Sequence, residues 1–109
     1  MRFQFQETPY FTRRITKLLN HDEYLELQNL LLDRPDVGDI IQGSSGLRKV
    51  RFGRQGTGKS GGVRVVYYWL IRKDVIFMLD VFAKNERSNL TQAQTAALRK
   101  LAQEIESLL

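Results

Sequence analysis

From Ile40 to Lys73 the chain contains no acidic residue, and glycines punctuate a run that is otherwise basic or strand-forming. Its most constraining part is Gly61-Gly62 followed by Val63-Arg64-Val65-Val66-Tyr67-Tyr68-Trp69. Two glycines start a helix poorly, and successive β-branched and aromatic residues favour extended backbone. The stretch reads as strand, glycine-rich loop, strand, and the rest of the chain has to fit around that hairpin.

The same context disposes of a misleading motif. Gly53 to Ser60 spells Gly-Arg-Gln-Gly-Thr-Gly-Lys-Ser, a letter-for-letter match to the phosphate-binding pattern G-x-x-x-x-G-K-[ST]. Ile76 to Asp80 even resembles an apolar strand ending in a magnesium-holding Asp. Such a loop works only when it runs straight into a helix, whose N-terminus and backbone N–H groups converge on the phosphates. Here it runs into a strand, and 109 residues are few for a complete nucleotide hydrolase. No nucleotide partner is expected; the glycines serve tight turns in a hairpin loop.

Around the hairpin, local patterns place the other elements. Arg2 to Glu7 alternates polar and apolar residues, as a short strand does. Thr8-Pro9 starts a helix, with Thr as cap and Pro in the first turn, and Phe11, Ile15, Leu18 and Leu19 follow at helical spacing. Asn20-His21-Asp22 turns into a second helix carrying Tyr24, Leu25, Leu27, Leu31 and Leu32, which stops before Arg34-Pro35. Residues 36–45 read as a loop. Strands are predicted at about 47–53, 63–71 and 75–83, with Arg72-Lys73-Asp74 as the turn between the last two. After the polar link 84–89, Thr91 to Gln94 forms a capping box. It opens a last helix with Leu98, Leu101, Ile105 and Leu108 on one face. The order is β-α-α-β-β-β-α. This predicts an α+β fold: a small, mostly antiparallel sheet with an N-terminal helical hairpin and a C-terminal helix.

Charge then narrows the function. Eight of the seventeen Lys and Arg residues lie between residues 40 and 73, and the rest of the chain has nine basic against twelve acidic residues. The net charge of +5 is therefore a local field, suited to a polyphosphate partner. Hydrophobic content of 42% and charged content of 27% are those of a soluble globular protein, and the length suits one domain spanning 1–109. Without cysteine and with one histidine, neither disulfides, thiolate chemistry nor a zinc site is expected, and no cofactor is implied. No apolar run reaches the roughly 20 residues that span a bilayer. Met1 to Phe5 alternates instead of building a signal-peptide core. A cytosolic protein is expected.

Strand parity assembles the cations. Side chains alternate faces along a strand, so Lys49 and Arg51 share a face, as do Arg64, Val66 and Tyr68, and Asp80, Phe82 and Lys84. The economical arrangement brings Lys49, Arg51, Arg64 and Lys84 to one side of adjacent strands, with Arg54 and Lys59 at the rim. A single cation on a strand is ordinary solvent-facing sequence. Several on one parity with no acid between them repel one another and call for an anion.

Gly46-Leu47-Arg48-Lys49-Val50-Arg51, the glycine-rich loop, Gly62-Val63-Arg64-Val65-Val66-Tyr67-Tyr68 and Ala83-Lys84-Asn85-Glu86 together resemble the RelE/ParE superfamily of bacterial toxins, nearest its HigB-like branch. The resemblance covers nearly the whole chain, including the closing Leu-Thr-x-x-Gln helix. It implies the toxin of a toxin–antitoxin pair: an mRNA interferase, or ribosome-dependent endoribonuclease, that cuts mRNA in the ribosomal A site and stops translation. Its partners would be the 70S ribosome with its mRNA, and a HigA-like, DNA-binding antitoxin that covers an apolar face or the basic groove. No metal is implied, because the ribose 2′-hydroxyl attacks the adjacent phosphate.

Position by position, Lys49 and Arg51 match the family's basic pair on the second strand and Arg64 its central arginine. Lys84 falls at or beside a further basic residue. Asn85 stands where members often carry arginine, and Thr91 near the place of a tyrosine. The resemblance thus assigns catalysis to Arg64, Lys84, Lys49 and Arg51. It assigns RNA or rRNA contact to Arg48, Arg54, Lys59, Tyr68, Asn85 and Arg87. Lys49 or Lys84, crowded by cations that disfavour a charged amine, would serve as general base. Arg64 would stabilise charge at phosphorus, and Arg51 would hold the phosphate. Tyr68 and Phe82 are open to stacking on a base or to packing under the last helix. Lone His21 reads as a surface turn residue, and Asp80 and Glu86 as ion-pair partners of nearby cations. Two other functions fit the same charge: a ParE-like gyrase poison, expected to lack the full basic set, and a non-catalytic RNA- or DNA-binding module.

Overall fold

Thr8 fixes the start of the first helix in three ways. Its N–H donates to Met78 O at 3.0 Å, its Oγ1 donates to Leu79 O at 3.0 Å, and the same oxygen accepts from Phe11 N at 3.0 Å. In the computed structural model, residues 3–54, 58–84, 86 and 89–109 are described, with side chains at all but 54 and 58–61. The elements are β1 (Gln4–Glu7), α1 (Pro9–Leu18), α2 (His21–Asp33), β2 (Asp39–Ile40), β3 (Leu47–Arg54), β4 (Gly58–Leu70), a short 3-10 turn (Ile71–Lys73), β5 (Val75–Ala83) and α3 (Gln92–Ser107). Arg2, placed in the first strand from its alternation, lies outside the described residues.

The sheet order is β1-β5-β4-β3-β2. Three neighbouring pairs are antiparallel, and β1 runs parallel to β5 with Phe5 opposite Ile76. The predicted order holds, with three refinements. The expected loop 36–45 includes β2, a two-residue edge strand on β3 too short to leave a pattern. The glycine loop is shorter than expected, because β4 already begins at Gly58, opposite Arg54. The match from Gly53 to Ser60 therefore passes from β3 into β4, with residues 55–57 outside the described part. The turn before β5 places Asp74 in the left-handed region at φ 53°.

Two cores sit on opposite faces of the sheet. Phe11, Ile15 and Leu19 from the first helix, and Leu27 and Leu31 from α2, pack on Val50, Val63, Val65, Tyr67, Ile76, Met78 and Val81. Helices α2 and α3 begin at capping boxes: Asn20 and Glu23 exchange side-chain and backbone hydrogen bonds at α2, and Thr91 and Gln94 do the same at α3. On the other face α3 seats on Leu47, Val66, Leu70, Val75, Phe77, Leu79 and Phe82. Its central contact is the buried Ala102, flanked by the partly buried Leu98 and Ile105. Leu108, expected on this face, lies just past the last helical turn and is 84% exposed. An apolar groove of about 570 Å3 lies between the start of α1 and α3, lined by Pro9, Tyr10, Leu79, Leu98 and Leu101.

Candidate nucleic-acid interface

The ladder puts Arg51 directly opposite Arg64 and Lys49 opposite Val66. One strand further, Arg64 faces Phe82 and Val66 faces Asp80. Residues paired across a ladder share a face. Lys49, Arg51 and Arg64 thus gather on the α3 side of the sheet, as their parity predicts, beyond the N-terminal end of the helix. Gly62 holds this register. A Cβ there would stand 2.1 Å from Phe52 O, so only glycine lets the two strands approach just before Arg64.

Burial separates the three cations. Arg64 is 7% exposed, and its Nη1 is buried without a hydrogen-bond partner. Arg51 is exposed, and Lys49 is half-buried with Nζ donating to Asn89 Oδ1 at 2.8 Å. Lys84 is exposed in the turn after β5. A guanidinium nitrogen left unpaired in the interior, opposite another arginine, is costly to the fold. An anion that reached it would satisfy that donor.

The link from β5 to α3 is tied at both ends. Asn89 Oδ1 accepts from Leu90 N at 2.9 Å as well as from Lys49. Both carboxylate oxygens of Glu86 accept from Arg14 Nη2, and Glu86 Oε1 also accepts from Ala83 N at 2.9 Å. This hydrogen bond holds the Arg14 pKa above its ordinary value, against the opposing effect of burial; the charge of Asp80 adds to it. Glu86 is thus an ion-pair partner, as its sequence setting predicts, but its cation comes from α1. Neither Arg14 nor Asn89 was legible as part of this region, since 72 and 40 residues separate the bonded partners.

Several predicted contact residues stand elsewhere. Arg48, expected on the nucleic acid, has the opposite parity to Lys49. It pairs with Tyr67 on the α1–α2 side, and its Nη1 donates to Asp36 O at 3.1 Å and Gly38 O at 2.8 Å. It pins a loop, because those carbonyls lie within its reach and the basic cluster lies through the sheet. Tyr68 belongs to the packing under α3: it stacks on Phe77 at 6.2 Å, and its OH donates to Glu106 Oε1 at 3.1 Å. Burial, then the bond to Glu106, raises its pKa. Phe82 is fully buried in the same core. Asn85 and Arg87, and the side chains of Arg54 and Lys59, lie outside the described residues. His21 is an exposed first residue of α2. Among the described residues no helix is long and apolar enough to cross a membrane.

The sequence profile of the family described as "RelE toxin of RelE / RelB toxin-antitoxin system" matches residues 38–109, the part that carries β2 to α3 and the whole basic cluster. The chain belongs to the RelE toxin family. Solved structures agree at the level of fold. An arginine double mutant of the E. coli toxin RelE in the free state superposes with a TM-score of 0.58 at 18% identity, over 81% of this chain and 90% of that one. The isolated E. coli RelE toxin gives 0.58 at 16% identity, over 92% and 99%. The intact E. coli RelBE toxin–antitoxin complex gives 0.54 at 19% identity, over 73% and 94%. This RelE-family chain thus has the predicted α+β architecture, with Lys49, Arg51 and Arg64 on the α3 side of its sheet.

Proposed function

We propose that this RelE-family toxin, of the HigB-like branch, is a ribosome-dependent endoribonuclease that cleaves mRNA in the A site. The observation that carries the reading is the buried, unpartnered Nη1 of Arg64, set opposite Arg51 and beside Lys49. In the reaction the ribose 2′-oxygen forms a bond to the adjacent phosphorus while the bond to the 5′-oxygen breaks. The products are a 2′,3′-cyclic phosphate and a 5′-hydroxyl end. Lys49 or Lys84 takes the proton from the 2′-hydroxyl, and the leaving 5′-oxygen takes a proton from water. Arg51, at the exposed edge, holds the phosphate on entry, and Arg64 meets the charge that grows on its oxygens. A fixed donor in a site that excludes water favours the transition state most strongly. No step in this scheme uses a metal. The ribosome supplies the alignment of 2′-oxygen, phosphorus and leaving oxygen that a small open face cannot impose alone.

The E. coli RelBE complex is a toxin held by its antitoxin, and an antitoxin is the partner proposed here, HigA-like and DNA-binding on the resemblance. The apolar groove beside Tyr10 and Leu98 offers such a segment a surface to bury. Toxin, antitoxin and ribosome would meet in the bacterial cytoplasm. The test is primer extension on mRNA programmed into purified ribosomes, with the protein added in the presence of chelator. Cuts that appear only with ribosomes, at the A-site codon and despite chelator, support the reading. Intact mRNA with folded protein would replace it with a gyrase poison or a binding module.

A further inference from the structure

The turn that carries Lys84 is closed twice. Glu86 N–H donates to Ala83 O at 3.0 Å, and Ala83 N–H donates to Glu86 Oε1 at 2.9 Å. Backbone and side chain of one residue thus loop back on the last residue of β5, and Lys84 stands between them, exposed. The chemistry above needs that lysine at a reacting hydroxyl. An exposed turn is ordinarily among the more mobile parts of a fold, so its place has to be held from outside.

The hold comes from the helix on the other side of the sheet. β1 ends at Glu7, opposite Met78, and α1 lies against β5 as well. From α1, Arg14 Nη2 donates to both carboxylate oxygens of Glu86, 72 residues away in sequence. An isolated surface ion pair contributes little. This pair differs, because its carboxylate is already aimed by Ala83 N–H. The guanidinium is only partly exposed, with its Nε buried and without a hydrogen-bond partner. Drawing it inward costs the fold unless the carboxylate meets it. The start of α1 is itself fixed to β5, since Thr8 bonds to Met78 O and Leu79 O. Helix, carboxylate and turn form one bracket.

We propose that Arg14 is a positioning residue for cleavage: acting through Glu86, it holds the 83–86 turn so that Lys84 stands at the ribose 2′-hydroxyl. This role rests on the nuclease reading. Arg14→Gln and Glu86→Gln test it from the two ends, the second keeping an amide oxygen to accept from Ala83 N–H. Cleavage is followed in a single turnover, with programmed ribosomes limiting and the toxin varied. Both variants should lower the rate at saturation roughly tenfold or more, the scale of a misplaced catalytic group, and leave the half-saturating concentration unchanged. Each is then combined with Lys84→Ala. Neither should slow the Lys84→Ala protein further, because the group being positioned is gone. Losses that multiply in the combined variants would overturn the role, as would a Lys84→Ala protein as fast as wild type. So would a higher half-saturating concentration at an unchanged saturated rate, which marks a binding contact. If wild type cuts no mRNA on ribosomes, the nuclease reading fails and takes this role with it. Hydrogen exchange at the Ala83 and Glu86 amides tells the two failures apart. Faster exchange in Arg14→Gln, with the rest of the fold protected as in wild type, upholds the bracket, and unchanged exchange there overturns it whatever the ribosome assay gives.

Discussion

Arg51 and Arg64 oppose each other across the β3–β4 ladder, the first exposed and the second buried with Nη1 unpaired. Like charges so placed work against the fold. Replacing Arg64 with Met removes the buried cation and keeps much of its volume. The thermal midpoint should hold or rise, while cleavage falls on the order of a hundredfold or more, the scale for one transition-state donor. Calorimetry beside the ribosome assay checks both halves. A variant that loses stability and activity together would make Arg64 a structural residue.

Gly62 makes that opposition possible. Gly62→Ala would bring a methyl group to 2.1 Å from Phe52 O, contact with backbone that has no side-chain rotamer to yield. Strand separation should cost about 2 kcal/mol or more, read as a lower denaturant midpoint. Activity should fall further than the loss of folded protein accounts for, because Arg51 and Arg64 lose their register.

Arg48 and Arg51 are three positions apart in sequence but sit on different faces. Arg51→Ala should weaken RNA binding and flatten its dependence on salt by about one unit of slope. Arg48→Ala should leave that slope unchanged and cost about 1 kcal/mol of stability, for the loss of its bonds to Asp36 O and Gly38 O. Equal salt slopes for the two variants would contradict this division.

Alkali should destabilise the protein through Tyr24 and Tyr67, to which the raised Tyr68 adds. Burial raises the pKa of Tyr24, reinforced by its bond to Glu7, and burial likewise raises that of Tyr67, whose OH donates to Pro35 O at 2.7 Å and accepts from Gly38 N at 2.9 Å. Both phenols stay protonated in the folded chain where the unfolded chain ionises, near pH 10. The unfolded state then binds fewer protons, so stability falls as pH rises above about 10 and is intact below it. Tyr24→Phe should blunt the alkaline loss in pH-dependent denaturation. A loss equally steep without this phenol would assign the effect to other groups.

Much of this architecture is written in local pattern. Thr8-Pro9 and Thr91-Gln94 cap helices where their sequence predicts, because a cap needs only neighbours within one turn. Parity brings Lys49, Arg51 and Arg64 together because the side-chain period of a strand is fixed. What stayed hidden depends on distant partners. Nothing near Glu86 points to Arg14, nothing near Lys49 points to Asn89, and Arg48 looks like its basic neighbours until the carbonyls of Asp36 and Gly38 come within reach. Tyr68 could serve a strand surface or a core equally well, and only the position of α3 decides.

The parallel pairing of β1 with β5 also bears on how the protein is made. Its first strand finds its partner in its last, and Thr8 must wait for Met78 and Leu79 to anchor α1. Contacts that span so much of the chain form late and slowly. A nascent copy therefore remains an unsealed sheet until residue 83 has emerged.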